Sequence, residues 1–214
     1  MENGTENILS ILQERVKFFS ELGVDFIIEK QPPVFFKERI LHCQDCRLAL
    51  TRNIAVPGEG SLNADLMFVG EAPGHDEDIS GRPFVGKAGQ LLTKIIKAMN
   101  FKREEVYITN IVKCRPPKNR NPLIEEIEKC RAYLIEQIEI IKPKVIVTLG
   151  KVAADFFIHN KLGMTALRGS FYEFNHISVM PTFHPSYLIR NEGNIQIKRM
   201  VWEDMKKVMA FLDK

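Results

Sequence analysis

Residues 144–150 read KVIVTLG, and this stretch decides the fold. Val145, Ile146, Val147 and Leu149 form an apolar run around Thr148, too short for a buried helix and closed by Gly150. Apolar residues at consecutive rather than alternating positions describe a strand buried on both faces, as in a parallel sheet. Residues 65–70 (DLMFVG) and 106–110 (VYITN) repeat the pattern, each ending on a small or polar residue. Between and beyond these strands lie helical spacings over residues 91–99, 123–141, 152–158 and 196–212. Residues 171–174 and 177–180 read as paired or adjacent strands. Strands alternating with helices predict an α/β fold, a three-layer α/β/α sandwich with a mostly parallel central sheet. Ligands of such sheets sit at the carboxyl ends of the strands. Here those ends are Gly70-Glu71-Ala72, Asn110, Gly150 and the stretch reaching His184.

The chain has 214 residues, enough for one core with an appendage. At 45% hydrophobic and 27% charged it is neither disordered nor fibrous. A net charge of +3 permits a nucleic-acid partner without arguing for one. No apolar run reaches the roughly 18–20 residues of a membrane helix. The start, MENGTE, is acidic and polar, so the expected address is cytoplasmic. Residues 7–22 place Ile8, Ile11, Leu12, Val16 and Phe19 on one helical face, and Gln31-Pro32-Pro33 punctuates the chain after it. Residues 1–36 are therefore read as an N-terminal helical appendage and 37–214 as the main domain.

Cys43-x2-Cys46 is a tight pair, followed at a distance by Cys114 and Cys130. In a reducing compartment spaced cysteines read as metal ligands, and four thiolates suit tetrahedral zinc or an iron–sulfur cluster equally. Gly81 to Lys87 imitates a phosphate-binding loop, but Ala88 stands where such a loop needs Ser or Thr. Gly70-Glu71-Ala72-Pro73-Gly74, followed by the Gly81–Gly86 loop with Phe84 inside it, lets backbone approach a ligand closely. Ordinary alternatives stand beside each feature. A strand-to-helix turn explains the glycines, core packing explains Phe84, and a cap explains Asn110. His184, before Pro185 and near Ser186 and Arg190, is either structural or able to hold a leaving group. Lys113, Arg115, Lys118 and Arg120 form a basic strip without an acid, either a solvated loop or a track for phosphates.

Taken together, GEAPG at 70–74, GRPFVGKAG at 81–89, VYITNIVKCRPP at 106–117 and HPSYLIR at 184–190 resemble the family-4 uracil-DNA glycosylases with a [4Fe–4S] cluster. The likeness covers residues 40 to 210 and leaves the appendage outside. It implies a monofunctional enzyme that flips deoxyuridine out of DNA, hydrolyses the N-glycosidic bond and leaves an abasic site. It implies catalytic roles for Glu71 and His184. It implies uracil contacts from Gly70, Glu71, Ala72, Phe84, Asn110 and His184. DNA contacts are expected from Ser186, Leu188 (an apolar wedge), Arg190, Lys113, Arg115, Lys118 and Arg120. The four cysteines 43, 46, 114 and 130 become ligands of the [4Fe–4S] cluster. Ala72 stands where family-1 relatives carry an Asp that positions water, so no carboxylate occupies that spot, and Glu71 is expected to orient water or support the cation. The expected partner is uracil-containing DNA, with no membrane; the chain is expected to be a monomer, and the appendage either covers the core or docks repair or replication proteins. Three other readings differ in class. One is a relative that couples covalently to DNA through a His, which residues 113–122 lack. The others are a zinc-stabilised binding module without catalysis and a cluster-bearing accessory of a replication polymerase.

Overall fold

The computed structural model describes residues 34–158 and 161–213, so the helix expected over residues 7–22 lies outside the described residues. Helix α1 (Val34–Leu41) comes first, and its Phe36 and Ile40 are buried in the core. Strands β1 (Glu59–Gly60) and β2 (Leu66–Gly70) follow, then helices α2 (His75–Ser80) and α3 (Lys87–Ala98) and strand β3 (Tyr107–Asn110). The second half runs α4 (Ile124–Ile141), β4 (Val145–Leu149), α5 (Lys151–Phe157), α6 (Met164–Leu167), β5 (Tyr172–Phe174), β6 (Ile177–Thr182), α7 (Pro185–Arg190) and α8 (Ile195–Phe211).

The six strands lie in the order β1-β3-β2-β4-β6-β5. The four central strands are parallel and the two edge strands antiparallel, which is the α/β architecture expected. The register sets Gly70 beside Asn110 and Leu149 beside Thr182, so the chain leaves β2, β3, β4 and β6 along one rim.

Side chains alternate across the sheet, and both faces are covered. Leu66, Phe68, Ile108, Val147 and Met180 pack with Leu92 and Ile96 of α3 and Met205 and Val208 of α8. Met67, Val69, Tyr107, Ile146 and Val179 pack with α1, α4 and α5 through Ile40, Leu134, Ile138 and Phe156. At about 1.5–3 kcal/mol per fully buried aliphatic side chain, these two layers outweigh exposed ion pairs such as Lys144–Asp65, worth ~0–1 kcal/mol each.

The helix ends have identifiable causes. Asn194 caps α8 by accepting from the Gln196 and Ile197 amides. Glu126 caps α4 by accepting from the Leu123 amide at 2.8 Å. Helix α3 begins four residues before the expected start at 91, because Gly89 inside it breaks the apolar spacing. A Cβ on Gly89 would lie 1.9 Å from the Phe84 carbonyl carbon, so a bare Cα lets the first turn of α3 pack on the Phe84 backbone.

Candidate active site

The carboxyl ends of the parallel strands open into a cleft of about 710 Å³. Glu71 and Ala72 enter it after β2, Asn110 ends β3, Gly150 follows β4, and His184 follows β6. Phe84 arrives from the loop between α2 and α3. The sequence-predicted residues Glu71, Ala72, Phe84, Asn110, His184, Ser186, Arg190 and Arg120 are thus brought to one place.

Asn110 is only 1% exposed, and its Oδ1 has no hydrogen-bond partner among the described residues. A buried amide oxygen left unpaired costs about 1–3 kcal/mol, so its orphaned state calls for a ligand. Gly70 does not line the cleft. It lies behind the floor, where a Cβ would come 2.4 Å from Asn110 Oδ1 and 2.5 Å from the Phe84 ring. Glycine there lets the amide and the ring sit together. Phe84 holds a left-handed φ of 51°, a conformation worth about 1–2 kcal/mol of strain for a residue with a Cβ. The ring is buried and lies 5.7 Å, centroid to centroid, from His184. Amide, ring and imidazole therefore line the same cleft.

The imidazole's state follows from its neighbours. The Ser186 amide donates to His184 Nδ1 at 3.1 Å, so Nδ1 carries no proton and the neutral ring bears its hydrogen on Nε2. Burial first, and the Arg190 guanidinium second, push the His184 pKa down to about 4. The ring is a neutral donor near pH 7. Ser186 Oγ stands 2.8 Å from the same Nδ1, so this serine serves the histidine as well as the cleft. Burial raises the Glu71 carboxyl above the usual carboxylate range.

Two of the expected DNA contacts are corrected. Lys113 is 1% exposed, and its ammonium donates to Thr109 Oγ1, the Asn110 carbonyl and Gln137 Oε1 at 2.6–2.7 Å. It is turned inward and cannot reach a phosphate. Leu188, read as a wedge, is 3% exposed and packed with Phe183, Ile197 and Val201, because α7 turns its apolar face to α8. Tyr187 is the exposed neighbour on the cleft, its ring 5.0 Å from that of Phe183. Arg115 is drawn to Asn119 and His75 rather than outward. Arg120 forks onto Glu126, and Lys118 is exposed. Sequence reasoning passed over Asn119, Tyr187 and Lys151, which also line the cleft. No spacing signals them; only the fold brings them there.

The four cysteines meet at a second, small cavity beside α1 and α4, with Ile40, Ala49 and Tyr133. All four are free thiols. The Lys113 amide donates to Cys130 Sγ at 3.3 Å, the Asp45 amide to Cys43 Sγ at 3.5 Å, and Arg52 to Cys114 Sγ at 3.0 Å. Such donors suit sulfur that carries negative charge. Burial raises Cys114 and pushes Cys130 up to about 12, so a positive centre is needed to displace their protons. No three Cys, His, Asp or Glu side chains among the described residues stand close enough to hold a single metal ion. Zinc would need its thiolates about 2.3 Å from one point. Four thiols at one cavity, three of whose sulfurs accept from amide or guanidinium donors, suit a group held by thiolates.

Comparison with known proteins bears on both sites. Residues 57–206 match the model of the uracil DNA glycosylase superfamily. The chain is 49% identical over 179 residues to a type-4 uracil-DNA glycosylase of Thermotoga maritima, covering 83% of this chain and 93% of the relative. It is 46% identical over 182 residues to a type-4 enzyme of Sulfurisphaera tokodaii, covering 80% and 81%. A type-5 uracil-DNA glycosylase of Pyrobaculum aerophilum is 35% identical over 162 residues, covering 68% and 71%. Family match, parallel sheet and rim cleft agree, and the chain belongs to the uracil-DNA glycosylase superfamily, on the side of its type-4 members.

Proposed function

We propose that this chain is a monofunctional uracil-DNA glycosylase. It hydrolyses the bond between C1′ and N1 of deoxyuridine in DNA, releasing uracil and leaving an abasic site for other repair enzymes. The observation that carries the reading is the Asn110 Oδ1 without a partner among the described residues, in a cleft that the Phe84 and His184 rings also line.

A glycosylase must take its nucleotide out of the stack. Uracil in the cleft lies on Phe84 and presents N3–H and O4 to Asn110. The carboxamide oxygen accepts from N3–H and its NH₂ donates to O4. Cytosine has no N3 proton and carries a donor at C4, so both pairings fail, at about 1–3 kcal/mol each. The binding of the right base removes the orphaned acceptor; the wrong base leaves it.

Cleavage sends the bonding electrons onto the departing base, where they spread over N1 and O2. His184 donates from Nε2–H to O2 as that charge grows, a stabilisation of the oxyanion type worth about 3–4 kcal/mol for one well-aimed donor. The imidazole remains neutral, and its Ser186 contacts hold the tautomer. The sugar is left as an oxocarbenium-like cation, and water adds at C1′. Glu71, at the cleft edge, supports that cation and orients the water. Glu71 and Ala72 contribute backbone to the pocket wall, and Gly70 provides the space behind it. Lys151, which lines the cleft, is paired with Asp155, and the proposed reaction uses no lysine.

Ser186 and Arg190 face the DNA backbone at the cleft, and the exposed Lys118 meets it on the loop beside them. Cys43, Cys46, Cys114 and Cys130 would hold a [4Fe–4S] cluster, which would crosslink its corner of the chain. Incubating the purified chain with a uracil-containing oligonucleotide, then cleaving abasic sites with alkali, tests the proposal. Release of free uracil with strand breaks only after alkali is expected; intact deoxyuridine would overturn it.

A further inference from the structure

Glu77 has no role in the reaction described above, yet it lines the same cleft. It sits in the first turn of α2, between the two loops that face the ligand. Its Oε2 accepts from the Gly74 amide at 3.1 Å, closing the loop that follows β2. Its Oε1 accepts from the Val85 amide at 2.8 Å and the Gly86 amide at 2.9 Å, closing the loop that carries Phe84. One carboxylate thus collects three backbone donors from two loops. Two of those donors follow directly on Phe84, whose left-handed φ of 51° needs its neighbours held in place. The other wall of that turn is Gly89, packed against the Phe84 backbone.

We propose that Glu77 is a positioning residue for base recognition, a carboxylate clamp that fixes the Phe84 ring in the cleft. The inference rests on the reading of the cleft as a uracil site. The chemistry requires a carboxylate: both oxygens are acceptors and both are used. Glutamine keeps the shape but offers one acceptor, and its NH₂ must face an amide donor on one loop or the other. Aspartate keeps the charge but is one methylene too short to span both loops. An acid that merely completed α2 would stabilise the helix without reaching across to residues 85 and 86.

The test uses the full chain and free uracil as the probe. E77Q, E77D, F84A and the double variants are compared in single-turnover cleavage of a uracil-containing oligonucleotide and in inhibition by free uracil. E77Q is expected to raise the uracil inhibition constant about tenfold. In the F84A background the same change should add less than about twofold, because both act through one ring. Wild-type inhibition by uracil in E77Q, or effects of E77Q and F84A that multiply in full, would overturn the clamp. E77D carries the same cycle with the same two outcomes should E77Q be recovered unfolded. The readings fail separately. Inactive wild type sinks the glycosylase proposal, whereas active wild type with an indifferent Glu77 sinks the clamp alone.

Discussion

The cleft and the cysteine corner are both rich in buried polar atoms, and they treat them in opposite ways. In the corner the charged groups beside the thiols are answered. Lys113 has three acceptors, and Glu126 takes bonds from Arg47, Arg120 and the Leu123 amide. In the cleft Asn110 Oδ1 is unanswered, and the strained turn at Phe84 is kept open by Gly70 and Gly89. Charges paired by the protein itself mark a frame built to stay as it is, around the thiols proposed to take the cluster. An unpaired acceptor marks a region completed by something else.

The contrast can be broken most severely at His184. His184→Ala should slow single-turnover excision about 100-fold or more, with little change in the visible absorbance of the cluster. A wild-type rate would remove the histidine from the chemistry.

Next is the orphaned amide. Asn110→Asp replaces the NH₂ donor with an acceptor, and uracil-over-cytosine discrimination should fall by about tenfold or more. Selectivity assays on paired oligonucleotides read this directly, and unchanged discrimination would place base reading elsewhere.

Cys130→Ser sharpens the contrast from the other side. It should abolish the cluster's absorbance and lower the melting temperature. The excision rate of the fraction that remains folded should stay within about threefold of wild type, since the corner supplies folding energy rather than chemistry. A rate loss as large as that of His184→Ala would give the corner a part in the reaction.

The smallest effect is on pH. With a pKa of about 4, His184 is neutral throughout pH 5–8, so single-turnover rates should be flat there as far as this residue decides. Stability behaves differently. An unfolded histidine titrates near 6.5, so between about 4 and 6.5 the unfolded chain binds the extra proton. The contribution of His184 to stability is therefore complete above 6.5 and lost as the pH falls toward 4. Thermal denaturation of wild type against His184→Asn over that range measures it; curves that run parallel would contradict the depressed value.

The architecture was legible because a doubly buried strand such as residues 145–149 has no other reading. The pairing of β5 with β6 and the long helices α4 and α8 fell within a residue or two of their expected ends. What escaped is local or short. The acid-rich HDEDIS of α2 has no apolar period, and α6 and α7 are too brief to show one. Asn110, His184 and Phe84 were singled out by sequence because their neighbours repeat a known pattern, and the fold brings them to one cleft. Lys113 and Leu188 are buried for one reason the sequence does not show: a residue's type does not tell which way its element is turned. Glu77 does not stand out in the sequence because its partners, the amides of 74, 85 and 86, have no letter of their own.

The inward turn of Lys113 changes how the enzyme should respond to ionic strength. A loop with four cations able to neutralise four phosphates would release about four counterions on binding DNA. Lys113 is sealed inside, Arg120 is committed to Glu126, and Arg115 is held by Asn119 and His75. Lys118 is left to meet the polyanion, and the loop's share of the salt slope shrinks to about one ion. Grip on the duplex then falls to the cleft itself, so binding on this side of the molecule depends more on the everted nucleotide than on the length of DNA.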